Sequence, residues 1–309
     1  MEKGPAAGRF VLIGRVIHDT EGLRRSYVGV PFNDLGSLRG WAVLEVVEAR
    51  GRNIFHWLDH FQRLQCSAKE AIIDLSKIEV IASVDLEARL GELLEKNGFE
   101  ESIIHLHCTA GKTLDGWNPV GSPLLYARVF RLKRKEGFAR LATRKFERQL
   151  AEVKRPDYFF GARERFLVSQ PDSEGKVPYH DILYLGPDGE ILETTGSNVC
   201  FVFKNGVVIA PPLSGDSGRP QVLDGITLKV VLEIVEKNSP TAFWAKREPI
   251  SVYYLKQYMD KLDGALMTST TGIIPIEKID DLEIPVGPLT LKLQQMFNKY
   301  REDYYARRS

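Results

Sequence analysis

An α+β protein of two domains is the fold class this sequence predicts, on three observations. Strand-like and helix-like segments interleave along the chain without forming regular βαβ units. The chain has 309 residues, and single cores stop growing near about 250–300 residues. A charged, turn-like run, Lys133-Arg134-Lys135-Glu136-Gly137, is the best place to divide it. The expected parts are a small N-terminal domain (1–132), a linker (133–138) and a larger C-terminal domain (139–309).

In the first part, Phe10–Ile17 and Trp41–Ala49 are apolar or β-branched runs and read as strands. Phe61, Leu64, Ala68 and Ala71 recur at spacings of three and four, so Asp59–Ile73 is a helix with those residues on one face. His60, Arg63 and Ser67 share another face of it. Leu86, Leu90, Leu93 and Leu94 mark a second helix, which Asn97-Gly98 stops. Ser102–Cys108 and Leu124–Arg131 read as strands around a Gly/Pro-rich loop, Gly111–Pro123.

Beyond the boundary come a strand, Phe138–Phe146, a short segment leading to Lys154, and a helix near Gly161–Ser169. A meander follows, with strands at Ile182–Leu185, Glu190–Thr194, Val199–Phe203 and Val207–Ala210. Pro187-Asp188-Gly189 and Asn205-Gly206 are its hairpin turns, because Gly and Asn accept the positive φ such turns require. A helix from about Gly225 to Lys237 is ended by Asn238-Ser239-Pro240, and Ser251 can cap another at Val252–Met259. Ala265–Thr268 is a short strand. Leu289, Leu293, Met296 and Tyr300 define a closing amphipathic helix.

Composition narrows the class of function. Lys and Arg number 42 against 41 Asp and Glu, a net +1 that gives no electrostatic reason to prefer nucleic acid or an anionic membrane. The three cysteines, Cys66, Cys108 and Cys200, are too scattered for a disulfide framework or a metal cluster. No apolar run approaches the ~20 residues that span a bilayer. Met1–Phe10 has no basic stretch followed by an apolar one, so no signal peptide is expected. The expectation is a cytoplasmic protein.

Several segments can carry chemistry, and each alone has a plain structural reading. Arg63 beside His60 would ordinarily be a solvated helix arginine, and Lys154 one surface lysine among many. Glu193 ends an apolar strand, where a carboxylate usually faces water. Gly225-Ile226-Thr227 opens a helix whose free N–H groups hold an anion or merely water. Thr268-Ser269-Thr270-Thr271-Gly272 is a polar loop or a hydroxyl-rich anion cradle.

Their order makes one pattern: His-x-x-Arg-Leu, a Lys, Glu-Thr-Thr-Gly-Ser-Asn-Val, Leu-Asp-Gly-Ile-Thr, then Thr-Ser-Thr-Thr-Gly-Ile-Ile-Pro-Ile. From about Gly14 to Tyr300 the chain resembles the class IV pyridoxal-phosphate aminotransferases, which include D-amino-acid and branched-chain aminotransferases, (R)-amine transaminases and aminodeoxychorismate lyase. Glu193–Val199 and Leu223–Thr227 are the most specific parts of the match. The resemblance implies fold type IV, with a small N-terminal α/β domain and a larger β-rich, pseudo-barrel C-terminal domain that binds the cofactor. It also implies a homodimer and pyridoxal 5′-phosphate as cofactor.

By that resemblance Lys154 is the Schiff-base lysine, which carries the cofactor and shuttles a proton, and Glu193 faces the ring nitrogen. Arg63 forks onto the phosphate, the N–H groups of Ile226 and Thr227 bind it at a helix N-terminus, and Thr270 adds a hydroxyl and an N–H. Leu223 packs on a ring face and Tyr158 bonds the ring's phenolic oxygen.

The departures concern substrate. D-alanine-type members often carry Val-Thr-Arg-Gly where this chain has Cys108-Thr109-Ala110-Gly111, so their carboxylate-gripping arginine is missing. Arg39, just before Gly40 and the strand bearing Leu44, is the candidate replacement; a surface arginine paired with Asp34 or Glu45 is the plain alternative. Backbone N–H groups in Thr270–Gly272, around Thr271, are a further option. Leu228 stands where a basic residue is common, and Pro171–His180 is an extra loop. The expected activity is amino transfer between an amino acid and a 2-oxo acid, D-amino acids ahead of branched-chain L-amino acids. The alternative is a lyase of the aminodeoxychorismate type.

Overall fold

The computed structural model describes residues 7–20, 30–81, 83–214, 218, 221–237 and 243–308. The expected stop at Asn238-Ser239-Pro240 lies outside the described residues, as does most of Met1–Phe10. The chain forms two compact units. One comprises Met1–Lys133, Val153–Asp157 and Tyr304–Ser309, the other Arg134–Glu152 and Tyr158–Asp303. The chain thus leaves the first unit at the charged run but returns to it twice, which a single linker at 133–138 does not anticipate. The first return has a physical cause. Val153 is buried in the first unit's core, and the main chain of Lys154 bonds Leu44 N–H and Ser67 Oγ there.

The first unit holds β1 (Ala7–Ile13), β2 (Val16–Asp19), α1 (Leu35–Arg39), β3 (Ala42–Arg50), β4 (Asn53–Ile54), α2 (Trp57–Glu70), α3 (Ser83–Asn97), β5 (Glu101–Thr109) and β6 (Leu124–Arg131). The stretch Phe10–Ile17, expected as one strand, is a hairpin broken at Gly14, whose φ of 57° suits glycine. The sheet order is β2-β1-β6-β5-β3-β4, and every pairing is antiparallel. Alternation sends Val43, Val47, Ile104, Leu106, Leu125, Ala127 and Val129 to one face. There they meet Phe61, Leu64 and Ala68 of α2 and Leu86, Leu90, Leu93 and Leu94 of α3. Helical spacing and strand alternation therefore meet in one core.

The second unit holds β7 (Ala139–Lys145), α4 (Phe159–Val168), β8 (Asp181–Leu185), β9 (Ile191–Thr194), β10 (Asn198–Phe203), β11 (Val207–Ala210), α5 (Ile226–Lys237), β12 (Trp244–Arg247), α6 (Val252–Gln257), β13 (Leu262–Ser269), β14 (Gly272–Ile279), β15 (Leu282–Glu283) and α7 (Pro288–Ala306). The last residues of α7 count with the first unit. Gly189 and Gly206 take φ of 85° and 83° at the two expected turns. Ser251 caps α6 by accepting from Tyr254 N–H at 3.1 Å.

The meander does not survive. The strand order is β12-β11-β10-β13-β14-β7-β8-β9, with β15 on β14, so three strands separate the β8/β9 hairpin from β10/β11. β13 is longer than the expected Ala265–Thr268, and its apolar partner Gly272–Ile279 is a strand that the motif alone does not reveal. β14 also pairs in parallel with β7, and β7 with β8. Leu228, Val231 and Ile234 of α5 and Leu293 and Phe297 of α7 pack with Cys200, Val202 and Leu266 of the sheet.

Candidate active site

The candidate residues form two groups, one in each unit. In the first, Arg63 lies on α2, one turn from His60, and neither is a solvated helix residue. Arg63 forks onto Glu45 of β3, Nε to Oε1 at 2.8 Å and Nη2 to Oε2 at 2.7 Å. His60 Nδ1 lies 2.7 Å from Glu45 Oε2. Glu45 is fully buried: burial opposes its charge, but Arg63 and His60 outweigh that and bring its pKa down to about 2. Burial pushes the His60 pKa down despite its bond to Glu45, with Arg63 and Lys154 adding repulsion. The result is a neutral imidazole and a charged fork on a fixed carboxylate. Lys154 is half-buried, its carbonyl accepting from Leu44 N–H at 2.9 Å and its N–H donating to Ser67 Oγ at 3.1 Å.

Arg39 ends α1, is exposed, and stacks its guanidinium over Trp117, 4.3 Å from the ring centre. It pairs with neither acid proposed for it. Asp34 is buried and accepts from Gly36 N–H and Thr109 Oγ1, while Glu45 serves Arg63 and His60.

In the second unit Glu193, next to last in β9, is buried rather than facing water. Its Oε1 accepts from Arg148 Nε at 2.7 Å, and its Oε2 from Leu223 N–H at 3.1 Å and Asn198 Nδ2 at 3.4 Å. Asn198 Nδ2 also donates to the Leu223 carbonyl at 2.9 Å. Glu193 and Leu223 are thus tied through Asn198. Two residues on, Gly225 passes so close that a Cβ there would stand 1.7 Å from Asn198 Oδ1. Only glycine fits.

Helix α5 starts next. Its first main-chain bond runs from Lys229 N–H to Gly225 O, so the N–H groups of Ile226 and Thr227 point out of the helix end, where the helix dipole favours an anion. Nearby, Ser197 Oγ is buried and without a hydrogen-bond partner among the described residues. Thr270 and Thr271 form the two-residue connection between β13 and β14, since Ser269 pairs with Gly272. Ser269 Oγ and Thr271 Oγ1 lie 3.0 Å apart. β13 and β10 are neighbours, with Thr268 opposite Asn198. Tyr158 stands at the start of α4 and is half-buried.

Sequence reasoning missed Glu45, Arg148 and Asn198 as functional residues. Asn198 stood inside the segment Glu193–Val199 and Glu45 inside the expected strand Trp41–Ala49, where an acid amid apolar residues was the available signal. Arg148 stood in an irregular segment and carried none.

The match to known proteins is extensive. The model of the family described as amino-transferase class IV matches residues 42–279. The D-alanine aminotransferase of Staphylococcus epidermidis is 26% identical over 294 residues, covering 89% of this chain and 93% of that protein. The branched-chain aminotransferase of Thermoproteus uzoniensis, solved with norvaline, superposes with a TM-score of 0.76 at 20% identity, covering 96% of this chain and 94% of the other. A hypothetical aminotransferase from Mycobacterium tuberculosis, solved in its PLP-bound form, gives 0.74 at 17%, covering 94% and 97%. This chain belongs to the amino-transferase class IV family and has its fold-type IV architecture. It is accordingly a transaminase that works with pyridoxal phosphate.

Proposed function

We propose that the enzyme moves an amino group between an amino acid and a 2-oxo acid, with D-amino acids as preferred donors and branched-chain L-amino acids next. The observation that carries the reading is the buried Glu193, braced by Arg148, Asn198 and Leu223 N–H in the segment that opens into α5. The donor set suits pyridoxal phosphate: a primary amine, a guanidinium, a helix N-terminus, and a carboxylate whose buried charge is compensated. The unpartnered Ser197 hydroxyl fits a group that brings its own acceptors.

When bound, pyridoxal phosphate supplies the electron sink for the pair left at the amino acid's α-carbon. Lys154 would hold the cofactor covalently and, once freed by substrate, would take the proton from the substrate's α-carbon. Glu193 would accept a hydrogen bond from the ring nitrogen, with Arg148 and Asn198 keeping its carboxylate oriented. Arg63, fixed by Glu45, would hold phosphate with Ile226 N–H, Thr227 N–H and Thr270. Tyr158 would bond the ring's phenolic oxygen and Leu223 would pack against the ring. Preference for D-amino acids is supported by the D-alanine aminotransferase relative and by the motif Thr268–Ile276.

Half-reactions of purified holoprotein with single D- and L-amino acids, followed by the cofactor's absorbance, test this. Conversion by D-alanine or another D-amino acid, with amino transfer to a 2-oxo acid, is expected. Release of pyruvate from aminodeoxychorismate without an acceptor would assign the lyase reaction instead. A homodimer in the cytoplasm is part of the same reading, and the solution mass of the holoprotein tests the dimer.

A further inference from the structure

The sheet of the first unit has a second face. Alternation that buries Ile104, Leu106 and Cys108 of β5, and Leu125, Ala127 and Val129 of β6, turns His105, His107, Tyr126, Arg128 and Phe130 the other way. Register sets His105 directly opposite Arg128 and His107 opposite Tyr126. Residues so paired have Cβ atoms about 4.5–5.5 Å apart. The His107 ring lies flat on Tyr126, with centroids 4.9 Å apart and planes within 2°. His105 and Arg128 both lean on Phe130, at 4.9 and 5.1 Å from the ring centre. Arg128 is exposed, and no carboxylate of the described residues pairs with it.

This patch borders Lys154. Leu44 pairs with His107 across the sheet, and the N–H of Leu44 donates to the Lys154 carbonyl. Lys154, Leu44, His107 and Tyr126 therefore follow one another across the strands. We propose that Arg128, with His105 beside it, binds the α-carboxylate of the amino-acid substrate next to Lys154, a role that rests on the transaminase reading above.

Two observations support it. Arg39, the other candidate, is engaged with Trp117. Finally, burial, and after it the positive charges of Lys154 and Arg128, hold the His105 imidazole below its usual range, while burial and then His105 bring His107 down to about 4. At neutral pH the patch therefore offers one guanidinium and two uncharged imidazoles. An arriving carboxylate is forked by Arg128 and can accept from an imidazole N–H. Its negative charge also cancels part of the repulsion felt by His105, so binding raises the His105 pKa.

The test compares holoprotein of wild type, Arg128→Leu, Arg128→Lys, His105→Gln and Arg39→Leu. Each is measured in the first half-reaction with an amino acid and with a primary amine lacking a carboxylate. Binding of butanoate, an unreactive monocarboxylate, is measured beside it, with the His105 titration followed by NMR. Arg128→Leu should weaken amino acid and butanoate about tenfold or more, the loss expected of a charge-assisted bond, and leave the amine within about twofold. Arg128→Lys should recover part of this, and butanoate should raise the His105 midpoint in wild type but not in Arg128→Leu. Equal effects on amine and amino acid, unchanged butanoate affinity, a change in oligomeric state alone, or carboxylate selectivity lost in Arg39→Leu instead would each overturn the assignment. If Arg128→Leu fails to fold, Arg128→Lys and His105→Gln decide by the same criteria. A wild type that reacts with no amino donor would refute the transaminase reading, while butanoate binding and the His105 shift would still decide whether Arg128 holds a carboxylate.

Discussion

Arg148 donates from Nε to Glu193 Oε1 at 2.7 Å, with 9% and 7% of the two side chains exposed. A pair this deep costs much of its Coulombic gain in desolvation, so breaking it from one side is worse than never having it. Arg148 also holds the Ala151 carbonyl through Nη2 at 2.6 Å, which ties the irregular segment after β7 to the same carboxylate.

Arg148→Leu should therefore destabilise the protein by about 3–5 kcal/mol, the range for a buried charge left alone. Glu193→Gln keeps the Leu223 N–H acceptor and should retain cofactor, but should slow proton abstraction, because a neutral amide supports a protonated ring nitrogen poorly. Thermal unfolding of the first variant and single-turnover rates of the second check the pair. A normal single-turnover rate in Glu193→Gln would remove the ring-nitrogen role.

Gly225→Ala forces a Cβ to within 1.7 Å of Asn198 Oδ1. Asn198 must then turn away, and its bonds to the Leu223 carbonyl and Glu193 go with it. We expect cofactor affinity to fall about tenfold or more, with stability lower by about 1–3 kcal/mol, the cost of unmaking a buried hydrogen bond. Equilibrium dialysis and urea unfolding measure the two. An alanine that left both unchanged would mean the close approach has no role in shaping the start of α5.

Arg63→Ala should release cofactor on dialysis, since the guanidinium's contact with phosphate is charge-assisted and contributes about 1.5–3 kcal/mol. Glu45→Gln should weaken cofactor binding less, because the guanidinium remains and only its orientation loosens. If Glu45→Gln lost cofactor while Arg63→Ala kept it, the assignment of the Arg63 guanidinium to phosphate would fail.

How much of this could be read from residues alone differs by element. The spacing of Leu86, Leu90, Leu93 and Leu94 and the turn at Asn205-Gly206 are local signals, and both elements stand where the spacing put them. Strand order is not local. Val199–Phe203 reads the same whether it pairs with β9 or, as it does, with β13, whose residues lie far along the chain, Met267 opposite Val199 and Leu262 opposite Phe203. Among candidate residues, Glu193 and Leu223–Thr227 stood out because their types and spacing are constrained together. Arg148 did not, because its value depends on a partner 45 residues away. Arg128 reads as one more outward residue on a strand until register sets it across from His105.

Acid should loosen the protein as pH falls below the ordinary histidine range. The folded His107 pKa sits at about 4 instead of the usual 6.5, and that of His60 is lowered as well. Below the unfolded value the unfolded chain binds protons that the folded chain refuses, so stability is lost as pH falls through that window. The His107 share is at most about 1.4 kcal/mol per pH unit between those limits. Glu45 acts lower down: its contribution is present above 4.5 and lost as pH falls toward about 2. Urea midpoints at pH 7, 5.5 and 4.5 should decline in wild type and more gently in His107→Gln. Parallel declines would show that His107 is not among the groups responsible.

Borohydride reduction of the holoprotein and mapping of the labelled peptide show directly whether Lys154 carries pyridoxal phosphate. A pyridoxyl group is expected on Lys154, whose main chain is anchored to Leu44 and Ser67. A label on Lys145 or any other lysine, or no label on a protein that holds the cofactor, would contradict it.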